Sequence, residues 1–229
     1  MLLCLVAVGD ELLSGDVADT NTALLARALT AAGHRIRRVG VVGDDGPEVV
    51  AAVVAGLATA QGVIVYGGLG PTPDDVTGPA LAHLPGAWTR SGLTNPVGSA
   101  EGLLLRSGAA LVAALPGVPA EVEAMAPGLL EELGRAVPLA RRSLHTALAG
   151  EPDLAAALAD LPLPPGAKVA FLPRPGEVRV VLTAATPAEL APLEAAARSR
   201  LGDVVVGADE ATLPSVLLDL LRSRRATLA

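Results

Sequence analysis

Aromatic side chains are almost missing from this sequence: Tyr66, Trp88 and Phe171 are the whole set in 229 residues. A core must therefore be packed from Leu, Val and Ala, and a surface that stacks nucleobases on aromatic platforms is nearly excluded. Cysteine occurs once, as Cys4, which excludes an internal disulfide and a cysteine-based zinc site. Positive charge is not in excess. With 17 Lys and Arg against 24 Asp and Glu the net charge is −7, so the basic face of a duplex nucleic-acid binder is not expected. Although 51% of the residues are hydrophobic, no run reaches the roughly 18 uninterrupted apolar residues of a membrane span. The apolar start, Met1–Val8, lacks a cationic flank and meets Gly9-Asp10-Glu11, unlike a signal peptide. The expected compartment is the cytoplasm, with no membrane partner.

What is present is a strand–helix alternation. Leu2–Val8 is a continuous apolar run that suits a strand buried on both faces. Asp19 or Thr20 caps a predicted helix over Asn21–Ala32, with Gly33 where a C-cap stands. His34–Val42 and Val63–Tyr66 read as strands, and Pro47–Ala60 as the helix between them. A helix near Asp75–His83, a strand over Ala109–Leu115 and a helix over Pro119–Leu133 follow. The fold class is therefore α/β: a mostly parallel sheet with helices on both faces, over residues 1–137. Past Pro138 the pattern changes to strand Arg141–Leu148, helix Asp153–Leu161, a hairpin of Lys168–Leu172 with Glu177–Thr183, helix Pro187–Leu201 and strand Val204–Val206. That order is a smaller α+β, split-βαβ domain over residues 138–208. Residues 209–229 form a third part, with an amphipathic helix over Ala211–Ala229 that carries Arg222, Arg224 and Arg225 near its end.

Ligands of an open parallel sheet bind at the carboxyl ends of its strands. Four loops fall there: Gly9–Gly15, Gly43-Asp44-Asp45, Gly67–Thr77, and Pro116-Gly117-Val118-Pro119. Three glycines in Gly67–Gly70 let backbone N–H groups approach an anion, and the loop feeds a helix N-terminus that favours phosphate. It matches neither the P-loop nor the Rossmann spacing, and a sharp turn with Asp74 as helix cap is the plainer alternative. Asp10, Glu11, Asp44, Asp45, Asp74 and Asp75 converge on the same edge. Acids beside phosphate-binding loops repel the phosphate unless a divalent cation lies between, as Mg²⁺ does when held by one or two carboxylates. Two or three of the six are expected to serve a ligand; the rest are caps or solvated loop residues. His34, His83 and His145 show no metal-ligand spacing, Ser14 has no nucleophile-elbow context, and Cys4 reads as core.

These loops, with Asp19-Thr20-Asn21, Asn95-Pro96-Val97-Gly98 and Leu115–Pro119, resemble the CinA (competence/damage-inducible) family, in that family's order. The first domain is similar to its MoaB/MogA-like molybdopterin-binding-like domain. Gly150-Glu151 and Phe171–Arg179 resemble its middle, KH-type domain. The resemblance implies a metal-dependent ADP-ribose pyrophosphatase, yielding AMP and ribose 5-phosphate, with Mg, Mn or Co as the divalent cation, a small-molecule nucleotide substrate and a homodimer. It implies Asp75 as the metal-linked aspartate of the Gly-Gly loop, with Asp44 as the second acid. On this reading the amides of Gly67, Gly68 and Gly70 hold phosphate oxygens, and Gly9, Thr72, Pro116 and Gly117 complete the substrate-binding set. Asp44 and Asp75, joined by Asp10, hold the metal, while Asp45 or Glu11 orients the attacking water. The chain departs from the family between Leu84 and Thr94, where about ten residues replace a longer polar segment. The tail resembles the start of an amidohydrolase domain, so nicotinamide mononucleotide deamidation is not expected. A binding module without turnover is the alternative. RNA binding by the second domain is disfavoured by the acidic balance and the lack of a Gly-x-x-Gly clamp.

Overall fold

In the computed structural model, which describes residues 1–227, β1 (Leu2–Val8) lies inside a six-stranded sheet because its side chains are apolar on both faces. Its neighbours are β2 (Arg35–Val42) and β3 (Gly62–Tyr66), both parallel to it; β6 (Ala110–Leu115) runs parallel to β3. Beyond β6 the sheet continues antiparallel through β5 (Gly102–Ser107) to β4 (Thr89–Leu93), giving the order β2-β1-β3-β6-β5-β4. Alternate residues divide the core in two. Leu3, Leu5, Ile64, Tyr66, Leu111 and Leu115 pack with Leu25 and Leu29 of α2 (Asn21–Ala31) and Met125 and Leu129 of α5 (Pro119–Leu133). Cys4, Val6, Val63, Val65 and Val112 pack on the other side with Val49 and Val53 of α3 (Gly46–Leu57) and Leu81 of α4 (Thr77–Ala82). A register slip of one residue would exchange the two sets, so both helix layers fix the register. Each fully buried Leu or Val contributes about 1.5–3 kcal/mol.

The ends of the helices are set locally. Asp45 accepts from the Glu48 amide at 2.9 Å and Pro47 stands in the first turn of α3. Asp19 accepts from the Thr22 amide at 2.9 Å at the start of α2. Gly33, at φ +87°, ends that helix, and a side chain there would overlap the Ala136 carbonyl; the Ala136 amide in turn donates to Ala32 O at 3.0 Å. Two elements differ from the sequence expectation. Asp10–Ser14, read as loop, forms the short α1. The stretch from Thr89 to Ser107, to which the sequence reading assigned no element, supplies the two antiparallel strands. Trp88, half-buried just before β4, donates its indole N–H to Pro85 O at 3.0 Å.

Met1–Pro138 forms one unit and the chain from Leu139 a second. In the second, β7 (Ala140–Thr146), α6 (Glu151–Leu158), β8 (Lys168–Arg174), β9 (Glu177–Ala184), α7 (Pro187–Leu201) and β10 (Val205–Ala208) build an antiparallel sheet of order β10-β7-β9-β8. This is the split-βαβ arrangement. Leu144, Val180 and Leu182 meet Leu154 and Leu158 of α6 and Leu193 and Ala197 of α7. His145 is fully buried between Glu177 Oε2 at 3.2 Å and Asp209 O at 2.9 Å. The helix expected over Ala211–Ala229 spans Leu213–Ser223 (α8), starts at a Thr212 capping box and packs on β10. Leu228 and Ala229 lie outside the described residues. Among the described residues no helix is long and apolar enough to cross a membrane.

Candidate functional site

The carboxyl ends of β1, β3 and β6 open into a cleft of about 460 Å³, within the range of small-molecule sites. Its floor is the loop after β3. Gly67 and Gly68 have φ of +98° and +59°, and a side chain on Gly67 would overlap the Val8 carbonyl. Thr77, fully buried at the start of α4, grips this loop twice. Its hydroxyl donates to Gly67 O at 2.7 Å and its amide donates to Gly68 O at 2.8 Å. In a trans peptide the N–H points opposite to the C=O of the same unit. The two bonds therefore turn the Gly68 and Leu69 amides away from Thr77, and among the described residues neither has a protein acceptor. Two successive free N–H groups of this kind form an anion-binding nest. The Gly67 and Gly70 amides, expected to hold phosphate as well, are already used: Gly67 donates to Leu115 O at 3.1 Å and Gly70 to Asp75 Oδ1 at 2.7 Å. Of these four amides, those of Gly68 and Leu69 are left without a protein acceptor among the described residues, and Gly68 lines the cleft.

The predicted carboxylates separate by role. Asp10 and Asp44 hold each other, the Asp10 amide donating to Asp44 Oδ2 at 3.0 Å and the Asp44 amide to Asp10 Oδ1 at 3.2 Å. This exchange ties the loop after β1 to the loop after β2 and leaves one oxygen of each carboxylate without a protein donor among the described residues. The free Asp44 Oδ1 lies on the Gly68 side. Asp75 is spent differently: it accepts from Gly70 N, from Thr72 N at 2.8 Å and from Thr72 Oγ1 at 2.5 Å. Burial disfavours its charge, but the Thr72 hydroxyl and amide and the Gly70 amide outweigh that and hold the carboxyl below its ordinary value. It is a clamp on its own loop, and Thr72 is the partner of that clamp and lies outside the cleft lining. Asp45, one of the two residues expected to orient water, caps α3 and is absent from the cleft lining. Glu11, the other, lines the cleft over Gly9. Asp74 caps nothing; the residue at the N-cap of α4 is Val76, with no side-chain cap.

Among the described residues no group of three or more His, Cys, Asp and Glu could enclose a metal ion. Asp44, in the cleft lining with its free Oδ1 on the Gly68 side, fits the open style in which Mg²⁺ is held, by one or two carboxylates with phosphate oxygens and water completing the shell, whereas Asp10, expected to share the metal, is bonded to Asp44 but absent from that lining. A larger hollow of about 790 Å³ between α3 and α4 is lined mainly by Pro47, Val50, Val54, Val76 and Pro79 and offers few polar groups to orient a ligand.

Pro116 and Gly117 form the wall after β6. Gly117 packs on Gly67, and its carbonyl accepts from Asn21 Nδ2 at 2.7 Å. Sequence reasoning gave no role to Thr22, set Tyr66 near the loop after β3 with packing as its plainer role, and quoted Asn21 only within the Asp19-Thr20-Asn21 motif; all three stand at the same wall. Thr22 Oγ1 bonds both Asp19 Oδ2 and the Tyr66 hydroxyl, and Tyr66 also donates to Asp19 Oδ2 at 3.1 Å. Burial pushes the Tyr66 hydroxyl up, opposed by the Thr22 bond and reinforced by the Asp19 charge, so it stays a phenol. The signals in the sequence were Asp19 at a capping position and the Asp19-Thr20-Asn21 motif; that Asn21 turns inward is decided by tertiary packing.

Residues 4–135 match the family model described as a probable molybdopterin binding domain. A CinA-like protein of Frankia casuarinae is 34% identical over 98% of this chain and 64% of its own length, and one of Deinococcus deserti 35% over 98% and 67%. The chain belongs to the CinA-like family. A crystal structure of the CinA protein of Thermoplasma acidophilum, of unknown function, aligns with a TM-score of 0.55 at 30% identity, covering 58% of this chain and 98% of that one. A molybdopterin biosynthesis protein of Mycobacterium abscessus aligns at 0.51 and 27% identity, covering 57% and 90%. MoaB of Thermus thermophilus, at 0.52 and 20% identity, shares the fold. The CinA-like assignment thus rests on the whole chain in sequence and on a MoaB/MogA-like fold in its first part. The chain spans less than two thirds of the Frankia protein's length. Their matched span runs over 279 residues against 229 here, so the relative carries inserted sequence within it.

Proposed function

We propose that the cleft binds a nucleotide bearing a pyrophosphate and hydrolyses it with a divalent cation, ADP-ribose and water giving AMP and ribose 5-phosphate. The observation that carries the reading is the free Gly68 amide with Asp44 Oδ1 on its side of the cleft, Asp44 being tied to Asp10 by exchanged amide bonds. The nest suits phosphate oxygens. The two carboxylates would repel them without a cation, and they would hold Mg²⁺, Mn²⁺ or Co²⁺ through the oxygens they do not spend on each other. The chemistry such a cation supplies is charge neutralisation and a more acidic water. Asp75 keeps the nest in shape, and Glu11 stands over Gly9 as the group to accept a proton from water.

A second reading, a molybdopterin- or nucleotide-binding module without turnover, is favoured by the sequence that the Frankia relative carries within the matched span and this chain lacks. Measurement of AMP release from ADP-ribose, with each cation and with EDTA, separates the two. Metal-dependent AMP, reduced roughly a hundredfold in Asp44→Asn, is the expected result. Folded protein that binds AMP yet releases none from ADP-ribose would replace the first reading by the second.

A further inference from the structure

In the second unit α6 and α7 each bury leucines against the sheet, whereas no residue of α8 is buried. Val216 rests against Gly207 of β10. Beside that contact Leu213, Leu217 and Leu220 recur at i, i+4 and i+7, a single stripe along the helix that Arg224 continues. Leu217 and Leu220 are 43% and 46% exposed. The charges around the stripe are ordered. Asp209 and Glu210 stand before α8, and Arg222, Arg224 and Arg225 stand at its end. With Asp219 the segment holds three acids and three arginines and is neutral, in a chain whose net charge is −7. Repulsion between two copies is therefore least at this face. Asp209 is held by Arg142 and Asp219 by Arg222, while Glu210, Arg224 and Arg225 have no ion-pair partner among the described residues.

We infer that a second copy of this chain docks on α8, as an antiparallel, two-fold symmetric pair of helices independent of the cleft. With Leu217 set against its own copy, Leu213 stands level with Leu221. Glu210 and Arg224 each lie seven residues from Leu217, so they meet at both ends of the pair. Each positive helix N-terminus also lies beside a negative C-terminus. A parallel pairing would place arginine on arginine, so the charges fix the orientation as well as the partner. The contact is small, and the pair is weak and reversible, half-formed at roughly 100 μM chain.

The test is sedimentation equilibrium of the full chain from about 5 to 500 μM. The mass is expected to rise from 22.8 kDa towards twice that value. Leu217→Glu is expected to remain monomeric throughout. Arg224→Glu should weaken association about tenfold, and adding Glu210→Arg to it should restore association by exchanging the charges. Because α8 gives no residue to the core, thermal melts of these variants should match wild type. Leu217→Cys is expected to form a disulfide-linked dimer on mild oxidation, and Leu218→Cys, off the stripe, is not; Cys4 is buried and stays out of the reaction. Wild type that stays at 22.8 kDa at every concentration would overturn the inference. Binding of that monomer to phosphatidylserine vesicles would then give the face to a lipid surface. A dimer undiminished in Leu217→Glu would overturn it too, since the copies would meet elsewhere.

Discussion

Replacing Thr77 by Val tests whether the loop after β3 is an anion nest or only a turn. Valine keeps the shape, so the change removes one hydrogen bond, from the hydroxyl to Gly67 O at 2.7 Å, in a fully buried setting. The orphaned carbonyl costs about 1–3 kcal/mol, less whatever the new methyl recovers. A net loss of 1–2 kcal/mol corresponds to a thermal shift of roughly 3–8 °C in a unit of this size. The bond from the Thr77 amide to Gly68 O survives the substitution, being backbone to backbone. Only the first peptide unit is therefore released. The Gly68 amide loses its aim while that of Leu69 keeps it. Loss of one charge-assisted bond to a phosphate oxygen predicts AMP binding weaker by about tenfold. Thr77→Ser restores the hydroxyl and is expected to restore binding. The assay is calorimetry with AMP alongside thermal melts of all three proteins. If Thr77→Val melts lower yet binds AMP within twofold of wild type, the Gly68 amide is not the anion donor and the nest argument fails.

Two further outcomes follow from the first unit. Gly33→Ala places a methyl into the Ala136 carbonyl at a residue held at φ +87°, and should destabilise by roughly 2–4 kcal/mol in urea unfolding; wild-type stability in that variant would mean the segment after α5 moves freely. His34 is buried with its Nδ1 accepting from the Met1 ammonium at 3.1 Å and its Nε2 donating to Gly134 O at 2.9 Å, so the native ring is neutral. Burial first, then the ammonium charge, lower its pKa from the ordinary 6.5, against the Gly134 bond. The unfolded chain then binds the proton more readily, so the stabilisation is complete above about pH 6.5 and declines as pH falls below it. Urea unfolding at pH 7.5 and 5.5 should show the decline in wild type and a smaller one in His34→Gln; equal slopes would contradict the assignment.

The parallel half of the first sheet was legible because its strands are apolar on both faces and stand between helical periods. Leu2–Val8 and Pro119–Leu133 coincide with the observed elements to the residue. The antiparallel extension was not, since Thr89–Leu93 is an exposed edge with Ser91 and Gly92 in it, and the Leu103-Leu104-Leu105 run of β5 is too short to announce itself. At the site, sequence placed Gly9, Gly68, Asp44 and Gly117 in the cleft lining, because strand ends and glycine loops are local features. It could not say which amides and carboxylates the loops would use on themselves. Asp75 and Asp45 look alike in the sequence; one clamps its loop and the other caps a helix. Asn21 stood in the Asp19-Thr20-Asn21 motif, yet its bond to a carbonyl 96 residues away was not legible.

Trp88 and Tyr66 both belong to the first unit, while the second holds a single aromatic ring, Phe171. Intrinsic fluorescence excited at the indole therefore follows one half of the molecule and is blind to the other. Far-UV ellipticity sees the helices of both. When the two signals are recorded on one sample, any gap between their transitions measures how independently the halves unfold, and coincidence would indicate that they melt as one cooperative body.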